Sequence, residues 1–329
     1  MVAGGSRGLG LLVARELVSA GYQVAVCARD LEEATEGARE VGATAYRCDV
    51  SDRDAVTKLV ASVERDLGPI EVLVHVAGTI QVGPAESMTL QDFDDAVGTM
   101  LMGPIQTVWA VLPGMRERGR GRIGVVTSIG GKVSPPHLLP YATAKFGAVG
   151  FTEGLAAELM GTGITATTVV PGLMRTGSHE RALFAGDHAA EYAWFAPAAS
   201  LPLLSMDAER AARRMVDGIL RGKPLVVLSW LSHAGIRVHG LSPTITVLAM
   251  GVMNRFLPAA PRADEEEGMA ISGSEGRVAL GVRDPEGGAA RGLLTGRQAA
   301  QRLGAGAAGV VGVLTVLGSR AARRLNQRP

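Results

Sequence analysis

The sequence has few residues of several chemically distinctive kinds. It contains two cysteines, four tyrosines and, among 33 basic residues, only four lysines. Cys27 and Cys48 lie in apolar runs without CxxC spacing, which favours reduced, buried thiols in a cytosolic protein over a disulfide framework. The six histidines show no metal-ligand pattern such as HExxH. Because lysine and tyrosine are scarce, any motif that contains both of them is informative.

The chain also lacks an excess of charge of one sign. Its net charge of +1 gives no global electrostatic reason to expect nucleic acid or an acidic partner. Arg7 and the surrounding glycines interrupt the N-terminal apolar run, so we expect no secretory signal peptide. A chain of 329 residues, 47% hydrophobic and 4% aromatic, is long enough for one large domain with an appendage.

Segments typical of strands and helices alternate up to about residue 230. The strand-like runs are apolar and rich in β-branched residues, as in parallel strands that are covered on both faces. This alternation predicts an α/β fold with a doubly wound parallel (Rossmann) sheet. The predicted strands are 22–28, 44–50, 70–78, 122–128, 164–172 and 224–229, and the predicted helices include 9–21, 55–68, 141–163 and 207–222.

The first ten residues, MVAGGSRGLG, have the glycine spacing of a turn that passes a nucleotide phosphate and then begins a helix. Such a turn normally follows a buried strand of about five or six residues, but only Met1, Val2 and Ala3 precede it here. We therefore predict a truncated first strand and expect the natural protein to begin about five to ten residues upstream. The predicted cofactor-binding residues of this turn are Gly4, Ser6, Arg7, Gly8, Leu9 and Gly10.

The end of the second predicted strand indicates which dinucleotide would bind. An acidic residue there would bind the adenosine ribose hydroxyls and favour NAD. The sequence has Ala28 followed by Arg29, and Arg7 lies in the glycine turn. Two guanidinium groups are suited to a 2′-phosphate, so we predict NADP(H) as the cofactor. The alternative is that both arginines are simply solvated.

Three residues have the spacing of a proton-transfer site. Tyr141 and Lys145 are four residues apart and would share one face of a helix. An ammonium close to the phenol stabilises phenolate and would bring its pKa nearer to neutrality. Ser128, at a predicted strand end, can hold a carbonyl oxygen by a hydrogen bond. The alternative is a surface Tyr–Lys pair with an unrelated turn serine.

Together these motifs resemble the short-chain dehydrogenase/reductase family over residues 1 to about 230. AGGSRGLG matches the family's TGxxxGxG, HVAG its NNAG, and CDV, Ser128, YATAK and PGLMRT its later motifs. The resemblance implies seven parallel strands in the order 3-2-1-4-5-6-7. It implies that Tyr141 is the acid/base, that Ser128 polarises the substrate oxygen, and that Lys145 binds the nicotinamide ribose and lowers the pKa of Tyr141.

The resemblance also implies further cofactor contacts and an assembly. Asp49 and the backbone of Val50 would contact adenine, Thr176 the carboxamide, and Gly78 would leave room for the cofactor. Helices such as 141–163 usually form interfaces in this family, so a homo-oligomer is expected. The remaining predicted cofactor contacts are Ala77, Pro171 and Gly172, with Tyr141 and Lys145.

The sequence departs from the family pattern at three places. Ala3 replaces the threonine of TGxxxGxG, and His75 and Val76 replace both asparagines of NNAG. Met100 stands where the family has a fourth catalytic residue, an asparagine that holds a water in the proton relay to the lysine. A thioether cannot donate a hydrogen bond, so the relay must use another group or be slower.

The segment after Thr176 is where the family has its substrate loop. Tyr192, Trp194, Phe195 and the run 201–204 would line an apolar pocket, which favours a lipophilic carbonyl or alcohol as substrate. The alternative is a packed lid without contact to the substrate.

The sequence predicts three parts: a Rossmann domain over 1–230 that includes a lid at 173–205, an apolar helical appendage at 231–258, and a low-complexity, flexible tail at 259–329. The apolar run 242–258 is short for a membrane span. Two interpretations stay open for it: a packed lid or oligomer helix, and peripheral contact with a membrane.

The function predicted from these features is that of an NADP(H)-dependent oxidoreductase, cytoplasmic or membrane-associated, that interconverts a carbonyl and a secondary alcohol on a lipophilic small molecule. The alternative is an NADP-binding regulatory or interaction protein on the same fold. Ser128, Tyr141 and Lys145 favour the enzyme, whereas Met100 and His75 favour the regulator.

Overall fold

A computed structural model describes residues 1–175, 181–200, 206–260 and 271–272. Seven parallel strands form the central sheet in the spatial order 3-2-1-4-5-6-7, so the predicted doubly wound sheet and its strand order are confirmed. The strands are β1 (Val2–Ala3), β2 (Ala25–Ala28), β3 (Thr44–Arg47), β4 (Val72–His75), β5 (Gly121–Val126), β6 (Ile164–Val170) and β7 (Leu225–Val227).

Helices cover both faces of this sheet. The helices in the described residues are α1 (Gly8–Ser19), α2 (Leu31–Val41), α3 (Arg53–Leu67), α4 (Leu90–Val97), α5 (Gly103–Arg118), α6 (Leu139–Glu158), α7 (His188–Ser200), α8 (Ala208–Leu220), α9 (Trp230–Leu241) and α10 (Pro243–Asn254). Side chains of α3, α5 and α6 form the core on one face, and those of α1, α2 and α8 form it on the other.

The two core layers follow from the apolar stripes of the helices. Leu17 of α1 and Met215 of α8 are almost completely buried on one face, and Val63 of α3 and Met115 of α5 on the other. Each such side chain contributes about 1.5–3 kcal/mol through burial. The layers therefore hold the strands, and with them the strand ends, in fixed positions.

Strand β1 is short but central. Val2 pairs with Val26 of β2 and with Val74 of β4, and Ala3 with the next residue of each. The nitrogen of Met1 donates a hydrogen bond to the carbonyl of Val72 at 2.7 Å. Two residues are enough to deliver the following turn to the carboxyl edge of the sheet.

A one-turn π-helix, Gly98–Met102, joins α4 to α5. The continuous helical stretch Leu90–Arg118 is long and apolar enough to cross a membrane by length and composition, which a core helix also satisfies. Here it packs against α3 and α6. This wider turn contains Met100, which is buried.

The region predicted as an apolar helical appendage, 231–258, contains two helices. Helix α9 ends at Leu241 and α10 begins at Pro243, because proline lacks an amide hydrogen and fits the first turn of a helix but not its interior. The side chain of Ser229 caps α9 by accepting a hydrogen bond from the amide of Ser232 at 3.0 Å. The two helices pack against each other as a hairpin.

Candidate active site

The predicted site residues of the described chain lie at one edge of the sheet. The glycine turn follows β1, Arg29 follows β2, Asp49 follows β3, Gly78 follows β4 and Ser128 follows β5. Parallel strands bring their carboxyl ends to the same edge, which is where open α/β sheets bind ligands. The order of the sheet places the turn after β1 between those after β2 and β4.

The glycine turn permits a close approach of backbone to backbone. Gly4 has a φ of +83°, and a Cβ there would lie 2.5 Å from the amide nitrogen of Ala77. A Cβ on Gly10 would lie 1.9 Å from the carbonyl oxygen of Gly4. No other residue fits these two positions, so the glycines are required by the turn itself.

The N-terminus of α1 is suited to an anion. Side chains of Asp30, Asp52, Thr89 and Asp207 cap α2, α3, α4 and α8, whereas α1 has no side-chain cap and no acidic residue in its first turn. Its first amide groups and the positive end of its dipole therefore remain available to a phosphate. The turn thus fits the pyrophosphate of a dinucleotide.

Arg29 and Asp49 lie side by side at the ends of β2 and β3. Burial tends to raise the pKa of the Asp49 carboxyl, but hydrogen bonds from the Ser51 hydroxyl and amide, together with the positive charge of Arg29, hold it below its ordinary value. Arg29 is exposed, and within the described chain no carboxylate lies within 4 Å of it. Its guanidinium group therefore has no direct carboxylate partner there and can pair with an anionic ligand, although the charge of Asp49 attracts it.

Arg7 has a different environment from the one expected. It forms an ion pair with Glu33, on the first turn of α2, and the same carboxylate lies 3.4 Å from Arg181. The hydroxyl of Ser6 also donates to Glu33, at 3.2 Å. A 2′-phosphate near Arg7 would have to compete with this carboxylate, which the sequence motif did not indicate.

Ser128 and Tyr141 meet at the sheet edge. The Ser128 oxygen accepts a hydrogen bond from the amide of Gly130 at 3.0 Å, which fixes the serine rotamer and leaves its hydroxyl proton free to donate. Tyr141 is half-buried and lies over the same short turn, since a Cβ on Gly130 would be 3.1 Å from the tyrosine ring. Burial raises the pKa of Tyr141, and a hydrogen bond with Ser128 partly opposes this.

Lys145 lies beneath the tyrosine ring. Its Nζ is 5.8 Å from the centre of the Tyr141 ring and donates to the carbonyl of Val126 at 2.8 Å. The side chain is buried, and burial lowers the pKa of the ammonium to about 8. That the ammonium lowers the pKa of Tyr141 stays a prediction, since the shift described for the phenol comes from burial and from Ser128.

Met100 occupies the space next to the lysine. A Cβ on Gly78 would lie 3.2 Å from the Met100 sulfur and 3.7 Å from the Lys145 Nζ. Met100 is buried with Ala96 and Ala144, and Tyr141 packs against this cluster. The Met100 thioether therefore places an apolar group beside the Lys145 ammonium.

His75, at the end of β4, is a buried neutral imidazole. Its Nδ1 lies 3.2 Å from the Thr107 hydroxyl, and its Nε2 makes no hydrogen bond of normal geometry within the described chain. Burial, reinforced by the positive charge of Lys145, lowers the pKa of His75 to about 3. The imidazole thus stays uncharged at any pH near neutrality.

The aromatic residues of the lid pack against one another. Phe184 meets Tyr192 and Phe195 edge-to-face, with ring centres 5.5 and 6.1 Å apart. The cluster also contains Val82 and Leu138, and Tyr141 packs against it. Tyr192 and Phe195 therefore pack within this cluster, which extends to Tyr141.

Sequence analysis missed a buried polar network beneath the lid. His137 Nδ1 lies 2.8 Å from one carboxylate oxygen of Glu191, and the Trp194 indole donates to the other at 2.6 Å. Both side chains are buried, and His137 has a φ of +63°. The only signal in the sequence was a histidine four residues before Tyr141, which matched no motif.

The other predicted contacts are distributed as follows. Leu9 is buried at the start of α1 and Val50 after β3, and Ala77 packs against the core beside Gly4. The carbonyl of Pro171 accepts from the amide of Ile129 at 2.8 Å, and Gly172 lies against the side chains of Ser229 and Ser232. Thr176 and the run 201–204 lie outside the described residues. In the described parts of the chain no three His, Cys, Asp or Glu residues are grouped as a metal site.

Two reductases are similar to this chain in sequence. A putative ketoacyl reductase of Streptomyces coelicolor is 40% identical over 183 residues, covering 54% of this chain and 70% of that protein. An acetoacetyl-CoA reductase of Rhizobium meliloti is 37% identical over 177 residues, covering 54% and 73%.

Solved structures agree with these relatives. A variant of actinorhodin polyketide ketoreductase with NADPH superposes with a TM-score of 0.60 at 32% identity, covering 69% of this chain and 94% of that one. A short-chain dehydrogenase from Streptomyces avermitilis gives a TM-score of 0.68 at 27% identity, covering 77% and 96%. The model of the short chain dehydrogenase family matches residues 1–183. With the seven-stranded sheet and the glycine turn, this match makes the chain a member of the short-chain dehydrogenase family of oxidoreductases.

Proposed function

We propose that this protein is an NADP(H)-dependent oxidoreductase that interconverts a carbonyl and a secondary alcohol on a lipophilic small molecule. The observation that carries the proposal is the convergence of Ser128, Tyr141 and Lys145 beside the glycine turn. The similarity to ketoacyl and acetoacetyl-CoA reductases supports a 3-oxoacyl compound as the first substrate to test.

Residues of the chain have distinct roles in the proposed reaction. A bound nicotinamide cofactor would supply or accept the hydride. The Ser128 hydroxyl, held through Gly130, donates a hydrogen bond to the substrate oxygen. In the reducing direction the Tyr141 phenol, which its raised pKa keeps protonated, gives its proton to the forming alkoxide, because the alkoxide is the stronger base.

Lys145 assists this proton transfer. Its ammonium is buried and donates to the carbonyl of Val126. With a pKa of about 8 it is largely protonated at neutral pH and can pass a proton at mildly alkaline pH. Its charge stabilises phenolate after Tyr141 has lost its proton.

NADP(H) is supported by Arg29, whose guanidinium has no carboxylate partner in the described residues, and by the absence of an acid at position 28. The experiment is to follow the absorbance of NADPH and of NADH with acetoacetyl-CoA and a panel of ketones. Tyr141→Phe should abolish turnover and retain NADPH binding. Arg29→Asp should reverse the preference between the two cofactors, and an unchanged preference would refute NADP(H).

One observation favours a second function, an NADP-binding regulator with weakened catalysis. Met100 places a buried thioether where the family has a hydrogen-bonding asparagine, next to Lys145. Binding of NADPH without turnover of any carbonyl or alcohol in the panel would favour this function over the enzyme.

A further inference from the structure

Helices α9 and α10 form a surface that is unlike the rest of the molecule. We refer to residues 230–256 as the apolar hairpin. Leu241 is 88% exposed and Trp230 is 73% exposed, although both are large apolar side chains. Other exposed apolar side chains of the hairpin are Ile245, Val247, Leu248 and Phe256. A contiguous exposed apolar surface of this kind marks an interaction site.

Helix α10 is exposed around most of its circumference. Thr246 is its one buried residue, and Met250 and Met253 on the same side are half-buried against the neighbouring helix. The remaining sides of the helix carry no charged residue between positions 243 and 254. A helix that is apolar on nearly every side requires an apolar medium and not only one flat partner.

The charge of the hairpin indicates which kind of surface it would bind. Residues 230–260 contain no aspartate and no glutamate, although the whole chain has 32 acidic residues. Arg237 and Arg255 are exposed at the two sides of the hairpin. Arginine and tryptophan beside apolar side chains match the headgroup region of an anionic bilayer.

The length of α10 sets the depth of contact. Twelve helical residues extend about 18 Å. The hydrocarbon core of a bilayer is about 30 Å thick, so α10 is too short to span it but long enough to lie within one leaflet. A second copy of the chain, in contrast, would cover one side of α10 and leave the others in water.

We propose that the apolar hairpin docks this protein on an anionic phospholipid bilayer, with α10 immersed in one leaflet. The surface lies beyond β7, away from the glycine turn, and the inference does not depend on the reaction at Tyr141. Docking would bring the oxidoreductase proposed above close to lipophilic compounds dissolved in the bilayer.

The first test measures partition of the full chain into vesicles. Vesicles of phosphatidylcholine with about a third phosphatidylglycerol should sediment the protein, and vesicles of phosphatidylcholine alone should sediment less of it. Leu241→Asp and Leu248→Asp should each lower the partition coefficient about tenfold or more. Leu90→Asp is the matched control, because Leu90 is 84% exposed at the start of α4 and should have no effect.

The second test locates the insertion. Lipids brominated in the acyl chain should quench tryptophan fluorescence, and Trp230→Phe should remove the quenched component. Trp109→Phe is the control, since Trp109 is 58% exposed on α5 and outside the hairpin. This readout does not require the aspartate variants to fold.

Three results would overturn the proposal. The first is that the protein does not bind vesicles, binds neutral and anionic vesicles equally, or binds as well in both leucine variants as in the wild type. The second is a dimer in lipid-free solution that Leu241→Asp dissociates, which would assign the hairpin to a second copy. The third is that brominated lipids do not quench Trp230 in protein that sediments with vesicles.

Discussion

The imidazole of His137 and the carboxylate of Glu191 lie 2.8 Å apart in the protein interior and join the loop before α6 to the lid helix α7. The loop residue has a left-handed backbone, and its carbonyl accepts a hydrogen bond from the amide of Gly83 at 2.9 Å. Because Tyr141 follows four residues later, the network connects the position of α7 to the start of α6.

Removing the buried carboxylate should loosen the lid. We expect Glu191→Ala to lower the free energy of unfolding by about 3 kcal/mol, since it leaves His137 and the Trp194 indole without their acceptor. Glu191→Gln, which keeps an acceptor oxygen, should cost less. Urea denaturation measures both variants, with the exposed Glu209→Gln as the control. A loss below about 0.5 kcal/mol for Glu191→Ala would contradict this role.

Restoring the family's asparagine at Met100 should change rate and stability in opposite directions. An amide beside Lys145 can hydrogen-bond in the proton relay, so Met100→Asn should raise kcat about tenfold. The same amide replaces a buried apolar side chain and should cost about 1–3 kcal/mol of stability. Met100→Leu is the control and should not raise kcat. Equal rates in both variants would mean that the relay does not pass this position.

Glu33 should weaken the binding of NADPH relative to NADH. It pairs with Arg7 and Arg181, and its negative charge would oppose a nearby phosphate. Glu33→Gln should therefore lower the KM for NADPH about threefold and leave the KM for NADH unchanged. Glu32→Gln, an exposed neighbour on the same turn, is the control. If both cofactors respond equally, the 2′-phosphate does not lie near this carboxylate.

The buried lysine should make the protein more stable at alkaline pH. With a pKa of about 8 in the folded protein and about 10.4 when unfolded, Lys145 loses its proton on folding between these values, so stability rises with pH there. Relative to Lys145→Met, the wild type should gain about 2 kcal/mol between roughly pH 8 and 9.5. The range stops below pH 10 because Tyr141, whose pKa is raised by burial, makes the stability fall as the pH rises further. Parallel unfolding curves for the two proteins would refute burial of the ammonium.

The buried imidazole should make the protein sensitive to acid. His75 has a pKa of about 3 when folded and about 6.5 when unfolded, so its contribution is complete above pH 6.5 and is lost as the pH falls. Compared with His75→Asn, the wild type should lose about 2 kcal/mol more between roughly pH 6.5 and 5. Urea titrations at these pH values measure the difference. An equal loss in both proteins would show that another group is responsible.

The sheet and the positions of the site residues could be predicted because each depends on local patterns. Apolar runs gave the strands, and the residues at their carboxyl ends necessarily meet at one edge. Strand ends were predicted several residues too long, as in 70–78 against Val72–His75, because apolar residues continue past the last ladder hydrogen bond into the turn.

The partners of charged side chains could not be predicted in the same way. Glu33 is 26 residues from Arg7 and Glu191 is 54 residues from His137, and no motif links them. The burial of Tyr141 could not be predicted either. Four-residue spacing places an ammonium near a phenol, but the burial that raises the pKa of the phenol depends on the Phe184 and Met100 clusters.

The hydrogen bond from Lys145 to the carbonyl of Val126 has a wider consequence. Val126 ends β5, and Ser128 follows two residues later, so the amine and the hydroxyl take their coordinates from one strand. A displacement of β5 would therefore move both groups together and leave their separation unchanged.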